Sequence, residues 1–471
     1  MAKYTKKLPE NFCILPFTTM LVRADASVSV CCLNSSSATN EGGEQLHLYK
    51  DPLKRAFHSP LFQELRADMS AGKRHPSCEN CWRDDDAGIP SKRIADNEIW
   101  GHWVDPSLEG KGPDSPIDVS FNLGTLCNLK CRICGSTSSS RWAQEYLELF
   151  GTDHIPRNND FIKKMPLEES RALLSNWPQK NPELTSTIFE WLPHMERMEF
   201  LGGEPFLNMK QFEIVAKSVE IGAAKNQALH FATNGSQFPD ESAREKWSHF
   251  KYVNVNISVD GLRDQFEYQR FGAKWDQALA NIEKYRALDS VDLVQIYLSI
   301  SVFTVFYLPE ILSFWHKRGL NVCLSTVTNP HRFDARVIPP PLKKMILEKY
   351  THYQNELPAD LREKMNGVGN FMNSADHSNL WLKFIESVWF HDDYRKQSFS
   401  QTFPEFHAEI ERQGFWYDYV SQKDLFLQHS GEEPIPSQKK EAVLGSSVPI
   451  PKIAQRKTWI SRFMGRGSDS L

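Results

Sequence analysis

From Ile117 to about Val327, short apolar-rich segments alternate with longer stretches of helical period. "IDVSFNL", "RMEFLG", "ALHFAT", "YVNVNISV", "LVQIYLSISV" and "NVCLSTV" are rich in β-branched and aromatic residues and read as strands. Between them, stretches such as "DQALANIEKY" and "PEILSFWHK" carry apolar residues at helical spacing. Strands alternating with helices of about 10–15 residues imply βαβ units in a parallel sheet. Six strands are too few for a closed eight-stranded barrel. The expected fold class is α/β, an open, partial (βα)6 TIM-like barrel.

The flanks differ in pattern. Residues 1–104 form a cysteine-bearing module in which "VSVCCL" reads as a strand and "PLFQELRADM" as an amphipathic helix. Residues 105–116, rich in Pro and Gly, read as a linker, and 117–335 as the barrel. Polar, Pro-bearing residues 151–180 read as an insertion, and a helix is expected near Ser139–Phe150. Residues 336–430 read as a helical C-terminal region. Residues 431–471, rich in Pro, Ser and charge, are expected to be poorly ordered. There "KIAQRKTWISRFMGR" reads either as a solvated tail or as a basic amphipathic helix for a membrane surface or partner.

Composition narrows the function. The 471 residues are 40% apolar and 24% charged, with a net charge of −4. The chain is no polycation, so no specific nucleic acid is expected as partner. No run of about 18 apolar residues predicts a transmembrane helix. Met1–Glu10 has no apolar run behind it, so no signal peptide is expected and the cytoplasm is the expected location. Eight of the nine cysteines fall in the first third of the chain, and such clustering reads as metal or cluster ligation. Cys323, in an apolar run, reads as a small buried hydrophobe.

Cys127, Cys131 and Cys134 form C-x3-C-x2-C directly after the strand "IDVSFNL", in the loop at its C-terminal end. Parallel α/β folds place chemistry there. Three thiolates can hold three irons of a 4Fe-4S cluster and leave the fourth without a protein ligand, the open position a catalytic centre needs. Zinc motifs use C-x2-C pairs and need a fourth ligand, and no nearby His or Cys supplies one.

A C-x3-C-x2-C loop after the first strand of a partial (βα) barrel resembles the radical S-adenosylmethionine (SAM) superfamily. Ile133 stands where many members carry an aromatic residue. The resemblance implies a catalytic 4Fe-4S cluster on Cys127, Cys131 and Cys134, with SAM chelating the open iron. It implies reductive cleavage of SAM to a 5′-deoxyadenosyl radical, fed by an electron donor such as flavodoxin or ferredoxin. Three further segments follow in the order the fold demands. Gly202, Gly203 and Glu204 end the second strand; the glycines allow close backbone approach and the carboxylate can take an ammonium group. In the resembled family this segment binds the SAM amino group. Thr233, Asn234 and Gly235 follow the third strand, as an Asn-Gly turn or a cofactor lining. Ser258 ends the fourth strand, and Arg270, twelve residues on, offers a fork suited to a carboxylate. The resemblance implies SAM ribose and carboxylate contacts for this pair; a surface helix is the other reading of Arg270. Asp260 reads as a possible stabiliser of the turn at Gly261.

Cys13, Cys31, Cys78 and Cys81 supply a second set of four thiolates, enough to close a 4Fe-4S or a zinc site. The spacing from Cys13 through Ala26 to Cys31, followed by "CENCW", resembles the SPASM/twitch auxiliary-cluster modules of the same superfamily, in the shorter one-cluster form. Ala26 stands where those modules have Gly, and the module precedes the barrel instead of following it. The resemblance implies a second, auxiliary 4Fe-4S cluster. Cys31 rather than Cys32 is expected as ligand, because it fits the spacing and strand neighbours point to opposite faces. Four protein thiolates would leave no open iron, which favours electron transfer or a structural role. The substrate implied is a peptide or protein before a small molecule. The competing class is a zinc- or cluster-stabilised binding protein without catalysis.

Overall fold

The computed structural model describes residues 9–86, 91–103, 114–142, 145 and 167–416. Within them ten short strands set the architecture: β1 (Thr19–Val22), β2 (Val28–Ser29), β3 (Asp118–Asn122), β4 (Lys130–Cys131), β5 (Arg197–Leu201), β6 (Ala228–Thr233), β7 (Tyr252–Ser258), β8 (Arg270–Phe271), β9 (Leu293–Ile300) and β10 (Asn321–Thr326). The main sheet has the order β10-β9-β7-β6-β5-β3-β1-β2. The six expected barrel strands, β3, β5, β6, β7, β9 and β10, are all there and all parallel. A seventh parallel strand was not expected. β1, from the N-terminal module, pairs with β3 over Thr19–Val22 and extends the sheet.

Register explains which residues share a face. Phe121, Phe200 and Phe231 lie opposite one another on β3, β5 and β6, with adjacent rings stacked 5.5 and 5.8 Å apart. Trp247, at the end of helix Glu241–Trp247, covers Phe231 at 5.0 Å. That face is the apolar core. The other face is polar. Ser120, Glu199, His230 and Asn254 form one cross-strand row; Asn256 with Gln295, and Ser258 with Tyr297 and Cys323, form the next two. A parallel sheet buried on both sides reads as a continuous apolar run. Alternation here makes the middle of the concave side polar, with Leu21 and Leu293 at the two ends of the Ser120–Asn254 row.

Helices Met209–Glu220 and Glu241–Trp247 follow their strands closely, capped by the side chains of Asn208 and Asp240. The C-terminal region is helical as expected, with helices Pro340–His352, Ala359–Asn373, Trp381–Arg395 and Pro404–Arg412. "PLFQELRADM" lies in helix Pro60–Ser70. Among the described residues no helix is long and apolar enough to cross a membrane.

Two expectations change. "VSVCCL" is not one strand: β2 ends at Ser29, and Cys31 and Cys32 lie in the bend and turn beyond it. The carbonyl of Val30 is taken by the Thr19 hydroxyl at 2.8 Å, and the chain turns there instead of continuing the ladder. The polar stretch read as an insertion is helical from Leu167 to Lys180, with a kink at Asn176, and Leu174 O accepts from Thr125 N at 3.0 Å, behind the cysteine loop. Residues 151–166, most of the linker, part of the helix near Ser139 and the basic tail segment lie outside the described residues.

Candidate active site and auxiliary site

The cysteine loop leaves the C-terminal end of β3 and is held from three sides. Gly203 packs its backbone onto it: Glu204 N donates to Leu126 O at 2.9 Å, and a Cβ on Gly203 would stand 2.4 Å from that oxygen. Gly202 has φ +135°, beside Asn122 Oδ1, a conformation side chains avoid. Asn234 Nδ2 donates to Asn128 Oδ1 at 3.0 Å and points at Cys127 Sγ at 3.9 Å. The two-residue β4 pairs antiparallel with β8, which sets Arg270 opposite Cys131.

Cys127 and Cys131 are buried and Cys134 is half-buried. Leu129 N donates to Cys127 Sγ at 3.4 Å, and burial still pushes that thiol up to about 11. Cys131 is lowered, because the Cys134 thiol bonds to it and the Arg270 guanidinium faces it, with Nη1 at 4.0 Å. Among the described residues, the one group of three or more metal-type ligands with donor atoms all within 4.8 Å is Glu64, Asp68 and His75. Neither cysteine set is therefore drawn in to the sulfur spacing of about 3.8 Å that a single tetrahedral zinc with Zn–S of ~2.3 Å requires. Three sulfurs on one loop, with no fourth protein donor among them, suit a cluster with one open iron.

Each supporting residue has a definite place. Glu204 is 1% exposed, and its carboxylate accepts from Thr233 Oγ1 (2.8 Å), Asn234 N (2.8 Å) and Phe206 N (3.2 Å). Burial nevertheless pushes it up to about 7. The acid at the end of β5 thus ties its own turn to the end of β6. Asn234 makes the turn read for it, its Oδ1 accepting from Ser236 N where Gly235 has φ +74°, while its Nδ2 faces the cysteine loop. Ser258 ends β7, half-buried, on the polar face. Arg270 is not on a surface helix. It is 7% exposed and pairs with Asp260 Oδ2 at 2.7 Å. Asp260 does not stabilise the Gly261 turn; its other oxygen accepts from Ser299 N at 2.9 Å, so it links β7 to β9. Cys323 is not a core hydrophobe: it is half-buried, opposite Tyr297 on the polar face.

The second set converges as expected. Cys13, Cys31, Cys78 and Cys81 line one cavity with Leu15, Asn34 and Trp82 among its walls, and Cys32, exposed, is not among them. Burial, then the other three thiols, raises Cys13 well above the ordinary range, as expected where four sulfurs need a cation. Asn34 Nδ2 donates to Cys78 Sγ at 3.5 Å. Arg93 donates to Phe12 O at 2.8 Å and pairs with Asp85 at 2.7 Å, fastening the Cys13 segment to the helix that carries Cys81.

The sequence reading missed the back of the cysteine loop. Arg132, 1% exposed, pairs with Asp392 at 2.5 Å and lies 3.6 Å from the Tyr268 ring centroid. Trp142 Nε1 donates to Cys131 O at 3.0 Å. Glu145 pairs with Lys130 at 2.6 Å and with Arg395 at 3.1 Å. Basic residues within the cysteine motif were a signal, but their acidic partner Asp392 lies 260 positions away.

The sequence matches the radical SAM superfamily over residues 121–315 and the SPASM iron–sulfur cluster-binding domain over residues 13–82. The chain belongs to the radical SAM superfamily. Within it, the chain is of the SPASM/twitch type, and its cofactors are a 4Fe-4S cluster with SAM and an auxiliary iron–sulfur cluster. No curated protein matches it. Among solved structures it is similar to anSMEcpe with bound AdoMet, at 18% identity over 50% of this chain and 61% of that one, TM-score 0.32. It is similar also to Streptococcus suis SuiB bound to S-adenosylmethionine, at 12% identity over 74% of this chain and 71% of that one, TM-score 0.31. The chain thus spans about three fifths of the length of anSMEcpe.

Proposed function

We propose that this protein is a radical SAM enzyme of the cytoplasm, acting on a peptide or protein substrate and reduced by a small electron-transfer protein such as flavodoxin or ferredoxin. The observation that carries the reading is the cysteine loop at the sheet's C-terminal edge, with the Gly202–Gly203 turn packed against it and Arg270 opposite Cys131. Cys127, Cys131 and Cys134 would hold the catalytic cluster, and Cys13, Cys31, Cys78 and Cys81 the auxiliary one. When bound, the catalytic cluster and SAM supply a 5′-deoxyadenosyl radical; the protein's share is to bind, orient and shield.

The chain's residues divide that share. The backbone of Gly202 and Gly203 offers the close approach a SAM amino acid moiety needs, with Asn234 and Ser258 as polar neighbours. Glu204 and Thr233 hold the turn from behind through the hydrogen bond between them. Arg270, already paired with Asp260, places positive charge beside Cys131 and would take the carboxylate of SAM. Open polar strand faces receive the substrate and, once covered, exclude water.

Replacing Cys127, Cys131 and Cys134 together with Ala tests the reading. SAM cleavage to 5′-deoxyadenosine under dithionite is expected to vanish, while about half of the iron, and a paramagnetic signal insensitive to SAM, remain. Full cleavage activity in the triple variant would overturn it. A colourless zinc protein after anaerobic purification would favour the non-catalytic class.

A further inference from the structure

The polar concave face holds more hydrogen-bonding capacity than the fold uses. His230, Asn254 and Asn256 are 5%, 3% and 3% exposed, and His230 Nε2, Asn254 Oδ1 and Asn256 Oδ1 have no hydrogen-bond partner among the described residues. Asn122 Oδ1 is in the same position at the end of β3. Folded proteins pair buried polar atoms almost without exception, so orphans gathered on one face point to a ligand. His230 and Asn254 sit in register with the half-buried Glu199, and Asn122 and Asn256 lie on the same face two residues further along their strands.

The charges facing this surface do not balance. Arg197 is committed to Asp118, with Nε to Oδ1 at 2.9 Å, and lies 5.2 Å from the Trp100 ring centroid. Lys92, from the helix Lys92–Trp100 beside the auxiliary site, is committed to Asp96 at 2.7 Å. Glu199 accepts one hydrogen bond, from Ser120 Oγ at 2.8 Å, and is left without a cation of its own. Two basic and three acidic groups leave one negative charge. Burial and the charge of Arg197 hold His230 far down, at about 3, so its ring adds no positive charge near neutral pH.

We propose that this face takes a cationic nitrogen group of the substrate, an ammonium or a guanidinium, and that Glu199 reads its charge while Asn254 and Asn256 accept its N–H bonds. The proposal rests on the radical SAM reading and names the substrate group for that same site. Glu199 is half-buried, so its carboxylate is still accessible to solvent. A substrate entering the face removes that water, and a carboxylate desolvated against a neutral group pays a large penalty. A cation removes the penalty and uses the acceptor atoms that the fold leaves unpaired. An anionic group would meet like charge, and a neutral amide would bury Glu199 unpaired.

The test uses the full-length enzyme with both clusters and SAM bound. Four probes, n-butylguanidinium, n-butylammonium, butyramide and butyrate, are titrated by saturation-transfer NMR. The expected result is binding of the two cations and none of the other two at equal concentration. Glu199→Gln is expected to weaken the cations at least about tenfold while iron content and SAM affinity stay at the wild-type level. Asn256→Asp, which adds charge, is expected to tighten them, and it serves if Glu199→Gln fails to fold. Equal binding of butyramide, cation binding unchanged in Glu199→Gln, or no binding of any probe would overturn the proposal. Loss of SAM binding in the wild-type enzyme would instead overturn the radical SAM reading, and it is measured in the same samples.

Discussion

At the scale of single residues the site depends on contacts with no slack. A methyl group on Gly203 would stand 2.4 Å from Leu126 O and 2.8 Å from Thr125 O, both backbone atoms of the loop that leads into Cys127. Neither can move without moving the cysteines. Gly203→Ala is therefore expected to lower iron at the first site by at least half and leave the auxiliary iron in place, read by iron and sulfide analysis with paramagnetic resonance. Gly367, with open space around its Cβ position, is the control. It lies inside helix Ala359–Asn373, and its change to Ala is expected to stabilise by about 1 kcal/mol. His230 gives a second residue-scale test. Its value near 3 in the folded protein lies below the ordinary 6.5, so the unfolded chain binds the extra proton between them. Its contribution to stability is full above pH 6.5 and is lost as pH falls toward 3. The slope is on the order of 1.4 kcal/mol per pH unit. His230→Gln should flatten the acid side of the stability profile of the metal-free protein by about that slope between roughly pH 6 and 4, measured by urea unfolding. An unchanged slope would mean that the ring is protonated in the fold.

At the scale of elements, the sequence pattern was informative where it was local. All six barrel strands appear where β-branched and aromatic residues cluster, since strand identity rests on neighbouring residues. The alternation in "DVSFN" and "VNVNIS" also announces one polar face, a signal carried by the order of residues alone. Two features were not legible. Cys31 and Cys32 look like strand residues because "VSVCC" is β-branched, yet a side-chain hydroxyl from β1 takes the carbonyl that would continue the ladder. Cys31 is chosen by the turn that carries it to the cavity, not by strand alternation. The packing of helix Trp381–Arg395 behind the cysteine loop was equally hidden, because Arg132 and Asp392 meet only in the folded chain. That contact has a measurable consequence. Asp392→Ala leaves the Arg132 guanidinium buried without its carboxylate, which costs on the order of 3–5 kcal/mol. Arg132→Met with Asp392→Leu removes both charges and should recover most of the stability. Thermal melts of the three variants check this, and a cost below about 1 kcal/mol for Asp392→Ala would show that the pair is solvated.

At the scale of the whole molecule, the N-terminal module and the barrel share one sheet. β1 runs parallel to β3 from Thr19 to Val22, and β3 leads directly into the cysteine loop. The same module sends helix Lys92–Trp100 to the polar face, where the ring of Trp100 lies against Arg197. Nothing in the periodicity of residues 1–104 foretold this, because a four-residue strand, "TMLV", carries too little pattern to declare its partner. The consequence is mechanical. Cys13 and Cys31 bracket β1 and β2 in the chain and line one cavity, so a cluster held by the proposed ligands would fasten the edge of the barrel sheet as well as its own module. Changing Cys13, Cys31, Cys78 and Cys81 together to Ala is expected to remove the auxiliary iron and lower the melting temperature of the whole protein in a single transition. Cys32→Ala should change neither quantity, because Cys32 is exposed and outside the cavity. The first cluster should still load in the quadruple variant, since its ligands and their contacts lie on other elements. Two separate melting transitions in that variant, with the barrel at its wild-type temperature, would show that β1 is a passive edge and that the auxiliary site stabilises its own module alone.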